Sequence, residues 1–193
     1  MPVIDNALII IDMQRDFVPP RDFVPPRDFV APCDFVPPRY LDRTRKGALE
    51  VPDTDGMVER IGAKLKLSRE RGDRVIFTLD SHAPDEATIE SRTLPRHCTD
   101  KYGRSCIYDT AGGTVIEKST FAAPGLAEYL YDCKHAELVG VCTDVCVISN
   151  ALMLRSLLPS LELTVDSACT AGTSLTRHAA ALEVMRSCLI NVI

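Results

Sequence analysis

Residues 7–12 read ALIIID, five apolar residues, three of them isoleucine, closing on an acid. A run so short, so β-branched and so uniformly apolar is a strand buried on both faces, and such strands belong to parallel sheets covered by helices. Similar runs recur at 74–80 (RVIFTLD), 114–118 (TVIEK), 136–141 (AELVGV), 161–167 (LELTVDS) and 189–193 (LINVI). Helix-like stretches fill 55–72, 124–133, 143–158 and 174–188, several opening near Asp, Ser, Thr or Pro as helix N-termini do. Alternating strand and helix predict an α/β fold with helices on both faces of a parallel sheet. Sites in such folds lie just beyond the carboxyl ends of the strands, so those are the places to search.

Composition bounds what the chain does. At 193 residues, 46% hydrophobic and 25% charged, residues 1–193 fit one globular domain with a sizeable core. A formal charge of −5 and a pI near 5.4 argue against a surface for phosphate backbones or anionic lipid, so nucleic acid and membrane are not expected partners. No apolar run approaches the roughly 20 residues that span a bilayer. The opening MPVIDNALIIIDMQ has an acid at position 5 and no cationic leader, so a cytoplasmic location is expected. Eight cysteines lie mostly in apolar segments without CxxC spacing, which fits free thiols of a reduced compartment rather than disulfides or zinc knuckles. The oligomeric state, monomer or homo-oligomer, is left open.

Four strand ends carry chemistry-bearing residues: Asp12, Asp80 with His82 two residues on, Lys118, and Cys142 with Cys146. Singly, each has a plain reading as a loop cap, a solvated lysine or a core thiol. Together they would line one edge. In GVCTDVCV (140–147) a strand gives way to a helix, whose first N–H groups and positive dipole end favour a thiolate at Cys146 and can hold an oxyanion. A nearby Lys118 ammonium would depress the thiol pKa further, while Asp12 would take its proton and return it to a leaving amine, which outlines a cysteine amidase. Neither His135 nor His178 falls at a strand end, so a Cys and His pair is not expected. The loop LDSHAPDEATIESRTLPRHC (79–98) places Asp80, His82, Glu90 and His97 within eighteen residues. That set suits a divalent zinc, manganese or iron ion, and a plain polar surface loop is the alternative.

The blocks IIIDMQRDF with Asp12, EKSTF with Lys118 and GVCTDVCV with Cys146 resemble, in order and spacing, the signatures of the isochorismatase-like cysteine hydrolases. The DSH, E and H of the second loop are similar to the metal site of the nicotinamidase branch. The resemblance implies a three-layer, Rossmann-like sandwich on a six-stranded parallel sheet. It also implies an Asp12, Lys118, Cys146 triad, a cis peptide bond between Val141 and Cys142, and an oxyanion held by the N–H groups of Cys142 and Cys146. One divalent ion, zinc foremost with manganese or iron as alternatives, would be held by Asp80, His82 and His97, with Glu90 third and Glu86 its competitor. The implied substrate is a small amide, nicotinamide, converted to nicotinate and ammonia. Where many family members carry a ring-stacking aromatic, this chain has Leu94, and it has no Trp, so ring recognition falls to Phe17 beside Leu94. Rival readings are a related hydrolase of another small amide or ureide, a non-catalytic binding or assembly protein, and a redox role for Cys142 and Cys146. The triad speaks against the binding protein and the four-residue cysteine step against the redox role.

One feature stands outside this scheme. Residues 15–38 read RDFVPP RDFVPP RDFVAP CDFVPP, four hexads in tandem. The family motif requires one copy, the first, with Asp16 and Phe17 following Asp12. The other three read as a tandem insertion, extended by their Pro pairs, with a lid or an adhesive contact through Phe23, Phe29 and Phe35 as alternatives.

Overall fold

A computed structural model describes residues 5–18 and 46–193. Six strands form its centre: β1 (Asn6–Ile11), β2 (Arg74–Asp80), β3 (Thr114–Lys118), β4 (His135–Val141), β5 (Glu162–Ala171) and β6 (Asn191–Val192). Every pairing is parallel and the spatial order is β3-β2-β1-β4-β5-β6. The chain builds outward in one direction from β1 and in the other from β4, so the topological switch lies between these two strands. The expected α/β architecture on a six-stranded parallel sheet is therefore present.

Side chains alternate across the sheet with period two. Ala7, Ile9 and Ile11 of β1 join Ile76, Leu138, Leu163 and Val165 on one face. Leu8 and Ile10 join Val75, Phe77 and Val139 on the other. The first face is covered by α4 (Ile148–Leu157) and α5 (Leu175–Ser187) through Ala151, Leu154, Leu182 and Met185. The second is covered by α1 (Met57–Arg71), whose Met57, Ile61, Leu65 and Ser68 make a buried stripe at helical spacing. Gly72 ends α1 in the left-handed region, its N–H returning to the carbonyls of Ser68 and Arg69.

Local detail departs from the sequence reading where backbone chemistry outweighs side-chain pattern. Residues 124–129 form a 3₁₀ helix, Pro124–Tyr129, a short piece of the kind that connectors commonly adopt. The stretch from 143 opens as a π turn, Thr143–Val147, before α4, with the Cys142 carbonyl accepting from both Val145 and Val147 N–H at 3.0 Å. Two short helices, α2 (Ile89–Thr93) and α3 (Lys101–Arg104), sit in what the sequence presents as one long polar loop. Each is capped by a side chain, Thr88 and Asp100 respectively, which replaces the apolar periodicity that such short pieces lack.

At the switch point β1 and β4 approach closely. Gly140 has φ +115°, and a Cβ there would lie 2.1 Å from the Ile11 carbonyl oxygen. Only glycine permits this contact, which brings the strand ends bearing Asp12 and Cys142 together. The Val141–Cys142 bond that follows is cis. Beyond β1, Asp16 and Phe17 pair with the returning chain, their carbonyls accepting from Leu49 N–H at 3.0 Å and Val51 N–H at 2.9 Å. The second to fourth hexads, 21–38, lie outside the described residues.

Candidate active site

Asp12 follows β1 with φ +50°, a left-handed conformation that Asp tolerates better than most residues. It is fully buried, and its Oδ1 accepts from Thr78 Oγ1 at 2.8 Å. Lys118 ends β3 and Asp80 ends β2, and the two are register partners across the sheet. The buried Lys118 ammonium is 2.8 Å from Asp12 Oδ2, in contact with Asp80 Oδ1, and 3.7 Å from Cys146 Sγ. Cys146, 7% exposed, stands in the π turn that follows β4. Asp12, Lys118 and Cys146 thus meet at the carboxyl edge, flanking the switch.

Electrostatics sharpen their roles. Burial raises the Asp12 carboxyl from 3.8 to about 6, with Lys118 opposing. Burial also tends to lower Lys118, but the charges of Asp12 and Asp80 outweigh it and raise the ammonium pKa. The Cys146 thiol is pushed well up, first by burial and then by Asp12, against which Lys118 is too weak. Burial thus works against the thiolate that the helix terminus and Lys118 favour. In a dry pocket beside a carboxylate, burial and the Asp12 charge favour the protonated thiol.

Asp80, His82, Glu90 and His97 converge beside this trio, with one ligand atom from each falling within 4.8 Å of the others. His97 Nε2 is 3.6 Å from both Asp80 Oδ2 and Glu90 Oε1, and His82 Nε2 is 3.7 Å from Asp80 Oδ2. Ligands about 2.1 Å from one tetrahedral ion stand roughly 3.4 Å apart, so the spacing fits a metal. The outer ring nitrogens are engaged: His97 Nδ1 lies 2.8 Å from the Pro95 carbonyl and His82 Nδ1 2.9 Å from Glu86. That arrangement turns both Nε2 atoms inward, and His82 Nε2 is buried without a hydrogen-bond partner. Glu86 therefore meets the outer side of His82 while Glu90 joins the inner group. Burial works to lower the His97 imidazole, but Asp80 and Glu90 override it and raise it to about 10, the mark of a cluster that favours a cation. Asp80 links the two clusters, with Oδ1 on Lys118 and Oδ2 facing the histidines.

The Phe17 ring packs 5.5 Å from that of His97, centroid to centroid. Leu94, at the end of α2, is 38% exposed and does not line the small cavity beside the histidines. The seven described cysteines are free thiols.

Several supporting residues escaped the sequence reading. Gln14 is buried, accepting from Asp80 N–H at 2.7 Å and donating to the carbonyls of Asp80 at 2.9 Å and Arg104 at 3.0 Å. Asn150, inside an apolar helix, donates to the Cys146 carbonyl at 2.8 Å and accepts from Ala123 N–H at 2.9 Å, tying the Cys146 turn to the loop after β3. Asp16, which the sequence placed beside Phe17 in the first hexad, accepts from Cys98 N–H at 2.7 Å, next to His97. A polar residue set among buried strands or helices was the available signal, as with Thr78 in RVIFTLD and Asn150 in VISNALML.

A doubly wound parallel sheet with a buried carboxylate, ammonium and thiol at its switch point defines the class of this α/β protein. The chain belongs to the isochorismatase domain family, whose model matches residues 6–193. The fold is similar to that of a pyrazinamidase of Pyrococcus horikoshii in complex with zinc, at 24% identity, 98% coverage of each chain and a TM-score of 0.76. It is also similar to a nicotinamidase of Bacillus subtilis, at 22% identity, 97% of this chain, 98% of that one and a TM-score of 0.74. A pyrazinamidase/nicotinamidase of Streptococcus mutans gives 22% identity, 97% and 99% coverage and a TM-score of 0.75. No curated protein matches the chain in sequence. Among the described residues no helix is long and apolar enough to cross a membrane.

Proposed function

We propose that the protein is a cytoplasmic nicotinamidase, hydrolysing nicotinamide to nicotinate and ammonia. The observation that carries this is the union of the two clusters through Asp80: a thiol, a carboxylate and an ammonium that can cleave an amide, beside a donor set for a divalent ion. Asp12 takes the Cys146 proton as sulfur attacks the carboxamide carbon, and the N–H groups of Cys142 and Cys146 hold the oxyanion. The C–N bond then breaks as Asp12 returns the proton to the departing nitrogen, releasing ammonia. Asp12 next deprotonates water, which attacks the thioester and frees nicotinate and the thiol. Lys118 offsets the negative charge through both halves. Asp80, His82, Glu90 and His97 would hold one divalent ion, zinc by preference, manganese or iron otherwise; when bound it supplies open coordination positions for a ring nitrogen. Phe17 packs against His97 beside that position. The similar solved structures named for nicotinamidase and pyrazinamidase activity support the same reading.

Ammonia release tests it. Nicotinamide should be turned over, a chelator should lower the rate by 10-fold or more, and zinc or manganese should restore it. Release from biuret or a carbamoyl compound but not from nicotinamide would give the site to another small amide or ureide. A second expectation concerns pH: kcat/KM of the metal-saturated protein should fall on the acid side with an apparent pKa near 6, because Asp12 must be ionised to accept the thiol proton. A limb near 4, or none, would remove Asp12 as the base.

The domain reading yields a third expectation. Because Asp16 and Phe17 are already paired with Leu49 and Val51, deleting residues 21–38 should leave a folded chain with kcat within about threefold of the parent. Loss of activity in a folded deletion variant would give the spare hexads a working role.

A further inference from the structure

Two consecutive residues of the nucleophile turn are tied by their side chains to the start of α5. Thr143, fully buried, has Oγ1 2.8 Å from His178 Nδ1. Asp144 accepts from Thr173 N–H at 2.7 Å and from Thr173 Oγ1 at 2.5 Å. Arg177 in turn reaches Thr173 Oγ1 at 3.3 Å. The two ties close over Gly172, where a Cβ would lie 2.8 Å from Asp144 Oδ1 and 2.9 Å from His178 Cβ. His178 is itself fixed on α5, its N–H bonded to the Ser174 carbonyl at 2.9 Å. No step of the proposed chemistry uses His178, Thr143 or Asp144. Yet Thr143 and Asp144 lie between Cys142 and Cys146, the two residues whose N–H groups are to receive the oxyanion.

We infer that His178 is a positioning residue: through Thr143 it sets the spacing of the Cys142 and Cys146 N–H groups, and so acts on oxyanion stabilisation rather than on substrate binding or thiol reactivity. The inference rests on the cysteine-hydrolase reading above. A functional turn is held most precisely when tied to a rigid element, and α5 supplies one, because Leu182 and Met185 anchor that helix in the core. Loss of one oxyanion donor costs roughly 10² to 10³ in kcat. Loosening a turn that carries two donors should cost less, about 10- to 100-fold, with KM held within twofold. Either ring tautomer of His178 can bond a hydroxyl, and an Asn side chain places its amide near the Nδ1 position. His178→Asn should therefore recover most of what His178→Ala loses.

The test compares His178→Ala, His178→Asn, Thr143→Val and the His178→Ala/Thr143→Val pair in the full chain. Three quantities are read: kcat and KM on nicotinamide, the rate of Cys146 alkylation by iodoacetamide followed on its peptide by mass spectrometry, and the protection that pyridine-3-carbaldehyde gives against alkylation. The aldehyde adds to the thiol to form a thiohemiacetal whose oxygen occupies the oxyanion position. His178→Ala should lower kcat and weaken aldehyde protection by similar factors while alkylation alone changes less than twofold. Thr143→Val should do the same, and the double variant should be no worse than either single one. A kcat and aldehyde protection within twofold of the parent in His178→Ala, a loss shared by His178→Asn, or additive losses in the double variant would overturn the inference. If the parent does not hydrolyse nicotinamide, the substrate reading fails, but alkylation and aldehyde protection still decide the role of His178. If His178→Ala does not fold, Thr143→Val and His178→Asn carry the comparison.

Discussion

Cys146→Ala is expected to lower ammonia release from nicotinamide by roughly 10⁴-fold or more while leaving the fold intact. The size of the effect follows from the absence of a substitute. Cys142, the other thiol of the turn, is pushed up to about 12, first by burial and then by the charges of Asp144 and Asp12. It sits four residues away, and its N–H, not its sulfur, is assigned to the oxyanion. The structural cost is small, because one sulfur is removed from a side chain whose main packing partners are the walls of the first core cluster. Circular dichroism and thermal midpoint should stay close to those of the parent. Activity retained above a hundredth of the parent value would mean that the amide is cleaved by something other than this thiol.

Lys118→Met carries the second large effect, on stability as well as on turnover. Lys118 is 5% exposed, and its ammonium is shared by the buried carboxylates of Asp12 and Asp80. Removing one partner of a buried ion pair costs about 3 to 5 kcal/mol, because the remaining charge has lost both water and its counter-ion. The deficit has a defined pH dependence. The Asp12 carboxyl already stands at about 6, raised by burial and lowered by Lys118, so loss of the lysine moves it higher. A carboxyl raised above its unfolded value of 3.8 contributes stability that is complete below that value and is lost as pH rises through the folded one. Relative to the parent at each pH, Lys118→Met should therefore be markedly weaker at pH 8 and nearer to it at pH 5. Urea unfolding in the presence of a chelator, which keeps a bound cation from compensating, measures both deficits. Equal deficits at the two pH values would show that the cost arises from packing rather than from uncompensated charge.

How far the sequence carries the structure depends on which interaction places each residue. The strands were legible because buried parallel strands are nearly continuous apolar runs: β2 and β3 match the expected 74–80 and 114–118 residue for residue. Searching just beyond such strands found Asp12, Asp80, Lys118 and Cys146, since topology alone puts those positions on one edge. The bridge between Lys118 and Asp80 was not legible, because it depends on the register of β2 against β3, which no local pattern encodes. The upward push on the Cys146 thiol is hidden for a related reason. A helix terminus and a lysine are visible in sequence, whereas the burial that outweighs them appears only once the core has closed. Gln14, Asn150 and His178 were missed because each acts through hydrogen bonds to backbone or side chains far along the chain, 66 residues in the case of Gln14 with Asp80. The side chains of Thr88 and Asp100 likewise capped two short helices that apolar periodicity could not announce.

The covalent step is where chemistry, residue and substrate meet. Protein mixed with nicotinamide and quenched in acid within the first turnovers, then digested, should yield a nicotinoyl thioester on the peptide that contains Cys146 and on no other cysteine peptide. Turnover of nicotinamide without that adduct, or with the nicotinoyl group on Cys142 instead, would contradict the assignment of Cys146 as the nucleophile of a nicotinamidase.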